Sequence, residues 1–161
     1  MNPILLVTGG SRGIGAATAR LAAARGWDVA INYTRDAAAA EAVAQDVRAQ
    51  GRRAITLQAD VADEAQVQAM FATLDRDFGP LAGLANNAGV VDQGARFVEM
   101  DAARLQRMFA INVFGTMYCC RQAVQRLSTR LGGAGGAIVN LSSVAAVLGS
   151  PGLYVDYAAA K

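Results

Sequence analysis

Ile4-Leu5-Leu6-Val7-Thr8-Gly9-Gly10-Ser11-Arg12-Gly13-Ile14-Gly15 opens the chain with an apolar run, a glycine-rich turn and the start of an alanine-rich stretch. The run reads as a buried strand over Ile4 to Thr8, and the stretch from about Gly13 to Arg25 as a helix that Gly26 ends. Glycine in such a turn permits tight turning and close approach of backbone to a pyrophosphate, which a helix N-terminus then stabilises. Gly9, Gly13 and Gly15 are spaced G-x3-G-x-G. That differs from the G-x-G-x-x-G of the usual dinucleotide turn, and no Gly-Lys-Ser/Thr follows as a nucleoside-triphosphate loop requires. Alone, such a turn can also be a mere tight connection.

The same alternation continues outward. Trp27 to Tyr33 predicts a second strand, and Asp36 caps a helix running to about Gln50, closed by Gly51. Arg53 to Ala59 is a third strand, and Asp63 caps a helix to about Phe78. After the breaker Gly79-Pro80, Ala82 to Ala85 forms a fourth strand that ends in Asn86-Asn87-Ala88-Gly89. A long helix begins near Asp101 and continues past Cys120; Gly132 to Gly136 is a loop, and Ala137 to Leu141 a fifth strand. Strands alternating with helices imply right-handed βαβ units, a parallel sheet and a single domain. The strands are nearly continuous apolar runs because helices cover both faces. Ligands of such sheets bind beyond the carboxyl ends of the strands, near the point where strand order reverses. Every unusual motif in this chain falls at such an end.

Composition narrows the chemistry. An apolar fraction of 53% and a mean hydropathy of +0.24 suit a packed domain. The net charge is only +2, from arginines spread along the chain, which argues against a nucleic-acid partner. No apolar run approaches the ~18 residues a membrane span needs, and Met1-Asn2-Pro3 lacks the form of a signal peptide. Cys119 and Cys120 are adjacent and read as two half-buried thiols in a reducing cytosol. The expected location is therefore cytoplasmic. Absence of histidine removes Ser-His-Asp and Cys-His nucleophile systems and most zinc sites, so no metal is expected. One lysine, Lys161, stands against fourteen arginines.

The Thr8–Gly15 turn, placed after the first strand, resembles that of the short-chain dehydrogenase/reductase family, and the likeness extends along the chain. Asp60-Val61 closes the third strand like the family's adenine-contacting pair, and Asn86-Asn87-Ala88-Gly89 is similar to its Asn-Asn-Ala-Gly element. Asn112, Ser143 and Tyr157-Ala158-Ala159-Ala160-Lys161 match its asparagine, serine and Tyr-x-x-x-Lys. The resemblance implies a Rossmann-like doubly wound sheet of order 3-2-1-4-5 and a nicotinamide cofactor. Gly9, Ser11, Arg12, Gly13, Ile14, Gly15, Tyr33, Thr34, Arg35, Asp60, Val61, Asn87, Ala88, Gly89, Tyr157 and Lys161 would line its site. The implied reaction interconverts a ketone and a secondary alcohol by hydride transfer, as in 3-oxoacyl-(acyl carrier protein) reductases and sugar dehydrogenases. Tyr157 would give or take the proton, Ser143 would bond the carbonyl oxygen, and Asn112 would hold a water relaying protons to Lys161. Ser142 is the alternative to Ser143; the second serine of Asn-x-Ser-Ser is the usual one in the family.

At i and i+4 of a helix Tyr157 and Lys161 share a face. A nearby ammonium can lower a phenol's pKa by roughly 1–3 units from its ordinary ~10, toward use at neutral pH. The second strand ends Asn32-Tyr33-Thr34-Arg35 with no acid where NAD enzymes place one, and Arg12 lies in the turn. Two arginines suit a 2′-phosphate, hence NADP, with NAD as the alternative; the plain reading is two solvated surface arginines. The resemblance also implies further strands and helices beyond Lys161 that complete the substrate pocket and build the interface of a homo-oligomer. Residues 1–161 are accordingly expected to be a C-terminally incomplete domain whose fifth strand is a long, apolar sheet edge. A catalytically silent dinucleotide-binding module, or an inactive fragment of such an enzyme, is the rival reading.

Overall fold

The structure, a computed structural model, describes residues 2–161. Five parallel strands, β1 (Ile4–Val7), β2 (Asp28–Tyr33), β3 (Ala54–Gln58), β4 (Leu81–Asn86) and β5 (Ala137–Asn140), form one sheet of order β3-β2-β1-β4-β5. This is the doubly wound Rossmann-like order the resemblance implies. Period-2 geometry sends alternate strand residues to opposite faces. Ile4, Leu6 and Ala30 pack with Val67, Phe71 and Leu74 of α3 (Glu64–Asp77) on one face. Val7, Val29 and Ile31 pack on the other with α1 (Gly13–Ala24) and α2 (Ala37–Ala49) through Ala16, Ala19, Val43 and Val47. Alanines on α1 let that helix lie close to the sheet. Asp36 caps α2 by accepting from Ala39 N, and Asp63 caps α3 by accepting from Ala65 N and Gln66 N, as their positions predict.

The expected single long helix is three pieces. Asp101 caps α4 (Ala102–Phe109), a π-helical segment follows over Ala110–Gly115, and α5 (Thr116–Leu127) completes the run. A π segment inserts a residue into the helical repeat, and such bulges gather at functional sites; here it contains Asn112. Gly115 explains why it fits: a Cβ there would lie 2.8 Å from Val61 Cγ2 and 3.0 Å from Val61 O. The periodicity of the sequence carries no mark of this insertion. Beyond β5, α6 (Ala145–Leu148) and α7 (Val155–Ala159) are short. Tyr157 lies on α7, and Lys161, four residues on, follows its last described turn. β5 is indeed an edge strand, but only four residues long.

Candidate active site

Strand order reverses between β1 and β4, and their carboxyl ends are tied together there. Thr8 Oγ1 accepts from Asn87 N (3.0 Å) and Ala88 N (2.9 Å) and donates to Asn86 Oδ1 (3.3 Å). Asn87 Nδ2 donates back to Thr8 O (2.9 Å) and Gly9 O (3.1 Å). From β2, the buried Asn32 accepts from Gly9 N through Oδ1 (3.1 Å) and donates through Nδ2 to Leu57 O and Ala59 O (3.2 and 3.0 Å). One small amide thus fixes the glycine turn against the ends of two strands. Sequence reasoning passed over Asn32; its signal was a polar, strand-averse residue inside an apolar strand.

The turn and these strand ends line a cavity of about 760 Å³. Gly9, Ser11, Arg12, Gly13, Ile14, Tyr33, Thr34, Arg35, Asp60, Val61, Asn87, Ala88, Gly89, Tyr157 and Lys161 all border it. Gly15 does not: its missing side chain would lie 2.4 Å from Gly9 O and 2.5 Å from Asn87 Nδ2, so it lets the helix pack onto the turn. Arg107, Ile111 and Leu141 border the cavity without having been singled out, and Ser142, the alternative to Ser143, borders it too.

The site fits a dinucleotide on its own geometry. Gly9 has φ +61°, and a Cβ on it would meet Ala88 Cα at 3.0 Å; Gly13 has φ +55°. Where α2, α3 and α4 each have an aspartate cap, α1 has no side-chain cap and no acid in its first turn. Its first N–H groups, at the positive end of the helix dipole, are left for an anion. Arg12 and Arg35 are exposed at the rim, and neither is ion-paired among the described residues.

At the other end of the cavity Lys161 Nζ lies 6.0 Å from the Tyr157 ring centroid and donates to Leu141 O (3.0 Å). Burial pushes the Lys161 ammonium below its usual range. A Cβ on Gly89 would lie 2.8 Å from Asn112 Oδ1 and 3.1 Å from Lys161 Nζ, so glycine there lets the two approach. Asn112, buried, clamps the Val90 peptide from both sides: Oδ1 accepts from Val90 N and Nδ2 donates to Val90 O, each at 2.9 Å. Its backbone carbonyl accepts from Thr116 Oγ1 at 2.9 Å.

Of the two serines, Ser142 borders the cavity and Ser143 does not. Ser142 Oγ donates to Lys161 O at 2.9 Å, which commits its proton. Ser143 Oγ accepts from Ala145 N at 3.2 Å, and its proton has no acceptor among the described residues. Beside Tyr157, Asp156 is buried and ion-paired with Arg104, Nε to Oδ2 at 2.7 Å. That bond holds the Asp156 carboxyl below its ordinary range despite burial.

The fold is a doubly wound Rossmann-like sheet with a cavity at the reversal of its strand order. The chain belongs to the short chain dehydrogenase family, whose family model matches residues 3–161. It is 52% identical over 158 residues to the uncharacterized oxidoreductase YgfF of Escherichia coli (strain K12), covering 98% of this chain and 64% of that protein. It is 38% identical over 158 residues to a 3-oxoacyl-[acyl-carrier-protein] reductase of Synechocystis, covering 98% and 62%. Among solved structures it is similar to a short chain dehydrogenase from Burkholderia cenocepacia J2315 in complex with NADP, with TM-score 0.91 and 38% identity over 99% of this chain and 62% of that one. The chain thus spans somewhat under two thirds of the length of these relatives.

Proposed function

We propose that this protein is an NADP(H)-dependent oxidoreductase that interconverts a ketone and a secondary alcohol. The observation that carries the reading is that Tyr157 and Lys161 line the same cavity as the glycine turn, with Asn112 buried behind Gly89 beside Lys161. Bound there, the nicotinamide supplies or accepts the hydride. The chain's own residues do the rest. The turn and the uncapped start of α1 bind the pyrophosphate through backbone N–H groups. Arg12 and Arg35 pair with a 2′-phosphate, a reading supported by their having no carboxylate partner. NAD is the alternative cofactor.

Tyr157 donates its phenolic proton to the carbonyl oxygen in reduction and recovers it in oxidation. Lys161 bonds the nicotinamide ribose and returns protons to Tyr157 Oη, with Asn112 ordering a water on the Lys161 side. Ser143 donates to the substrate oxygen, a role supported by its proton having no acceptor among the described residues; Ser142, which borders the cavity, is the alternative. In the full-length protein this chemistry belongs to a cytoplasmic homo-oligomer, a reading supported by family likeness.

The test is loss of reduced-nicotinamide absorbance with a panel of ketones, with NADPH and NADH compared. Turnover on at least one ketone, faster with NADPH, is expected. Tight NADPH binding with no oxidation by any ketone, and no reduction of NADP by the matching alcohols, would favour a catalytically silent binding module instead.

A further inference from the structure

Tyr157 lies on α7, whose described residues are tied to the rest of the molecule on both sides of the tyrosine. At its far end Lys161 is held through Nζ to Leu141 O and through its carbonyl by Ser142 Oγ. At its near end the side-chain tie is Asp156, whose carboxylate is wholly buried and bonded to Arg104.

Arg104 is itself fixed from three directions. Its backbone N–H donates to the Asp101 cap (2.8 Å), its Nε donates to Asp156 Oδ2 (2.7 Å), and its Nη1 donates to Gln93 O (2.8 Å). Arg104 sits on α4, which runs directly into the π segment holding Asn112. The pair therefore links the helix run bearing Asn112, the loop after β4 and the helix bearing Tyr157. Successive helical residues are turned by about 100°, so anchoring Asp156 against α4 sets the direction in which its neighbour Tyr157 faces.

The pair is poorly built for stability. Arg104 Nη2 and Asp156 Oδ1 are both buried without a hydrogen-bond partner, and they are the only such side-chain atoms among the described residues. Desolvating two charges and leaving an atom of each unmet is a cost that apolar packing would avoid. An ion pair kept at that cost beside the reacting tyrosine is accounted for by direction.

We propose that the buried Arg104–Asp156 ion pair is the positioning device of Tyr157, holding α7 in register with the helix that carries Asn112. The proposal rests on Tyr157 as the proton donor and assigns two positioning residues that never touch the substrate.

The test measures kcat, NADPH dissociation constant and unfolding midpoint in the full-length protein for three variants. They are the double replacement Arg104→Met with Asp156→Leu, Arg104→Lys, and Tyr157→Phe. The double variant substitutes apolar bulk for the pair and should unfold no earlier than the native protein. Its NADPH affinity should stay within about twofold, while kcat falls roughly 10–100-fold, the scale of a sub-ångström to 1 Å misplacement. Arg104→Lys keeps the charge and loses the two-pronged donation to Asp156 and Gln93, so a severalfold loss of kcat at unchanged affinity is expected. A double variant that folds and keeps kcat within twofold overturns the proposal. Should the double variant fail to fold, native kcat in Arg104→Lys overturns it equally. If Tyr157→Phe keeps native turnover, the reading of the site falls and the proposal with it. If only Tyr157→Phe is impaired, the site stands and the ion pair has no part in aiming it.

Discussion

Arg12 and Arg35 stand at the rim of the cavity, while the nearest acid in the sequence, Asp36, spends its carboxylate on the Ala39 N–H that begins α2. A charge-assisted bond to a phosphate contributes on the order of 1.5–3 kcal/mol, so NADPH should bind more than about tenfold tighter than NADH. Arg35→Asp should erase or reverse that preference in a fluorescence titration; equal dissociation constants in the unaltered protein would contradict it. Ser143→Ala should depress turnover with ketones well beyond Ser142→Ala, and the opposite order would move the role to Ser142. Single residues with a chemical signature were legible: Gly9, Gly13, Asp60, Asn87, Ala88, Gly89, Tyr157 and Lys161 all border the cavity. Asn32 and Arg104 were not, because a supporting residue is defined by the partner it meets across the fold. Asn32 is 25 and 27 residues from Leu57 and Ala59, and Arg104 is 52 from Asp156. Gly15 was legible as a glycine of the turn but not in its role, which depends on Asn87 lying over it.

Elements announced by caps and breakers were readable to within a residue or two, because Asp36, Asp63, Asp101, Gly26 and Gly51 act locally. The π segment was not, since it packs Gly115 against Val61, a residue far from it in the chain. Another non-local tie joins the amino ends of β2 and β3. The buried Asp28 accepts from Arg53 N (3.0 Å) and Arg53 Nε (2.7 Å), and Arg53 lies over the Phe78 ring at 4.7 Å. Burial alone would raise the Asp28 carboxyl, but the Arg53 bonds prevail and hold it below its ordinary range. A carboxyl lowered in the folded state contributes stability that is full above its unfolded value, about 3.9, and is lost as pH falls through the folded value. The advantage of the native protein over Asp28→Asn in urea midpoint should therefore be largest near neutrality and shrink below pH ~4. An advantage that grows on acidification would contradict this account. In the same core as Phe78, Phe71 of α3 is fully buried against the sheet, and Phe71→Ala should cost about 3–5 kcal/mol in chemical denaturation.

At the scale of the molecule, alternation of apolar strands and alanine-rich helices was enough to give layer order and sheet direction, since parallel strands demand helical crossovers. It also located the site, because the motifs fell at the strand ends flanking the β1/β4 reversal. What lies at the β5 edge was less legible: that strand is shorter than its apolar run suggested, and Val139 on it is 59% exposed. Unpaired edges associate, so the 161-residue chain alone should form concentration-dependent oligomers in sedimentation, and Val139→Lys should reduce them. A strictly monomeric 161-residue chain at high concentration would show that this edge is silent. The central claim is that one cavity joins a nicotinamide to a tyrosine proton donor. Its most direct measurement pairs ketone turnover with NADPH affinity in Tyr157→Phe of the full-length protein. Removing the hydroxyl and keeping the ring should lower kcat by at least the ~10²–10⁴-fold typical of an acid–base group, with the NADPH dissociation constant within about twofold of native. Near-native turnover in Tyr157→Phe would contradict the claim.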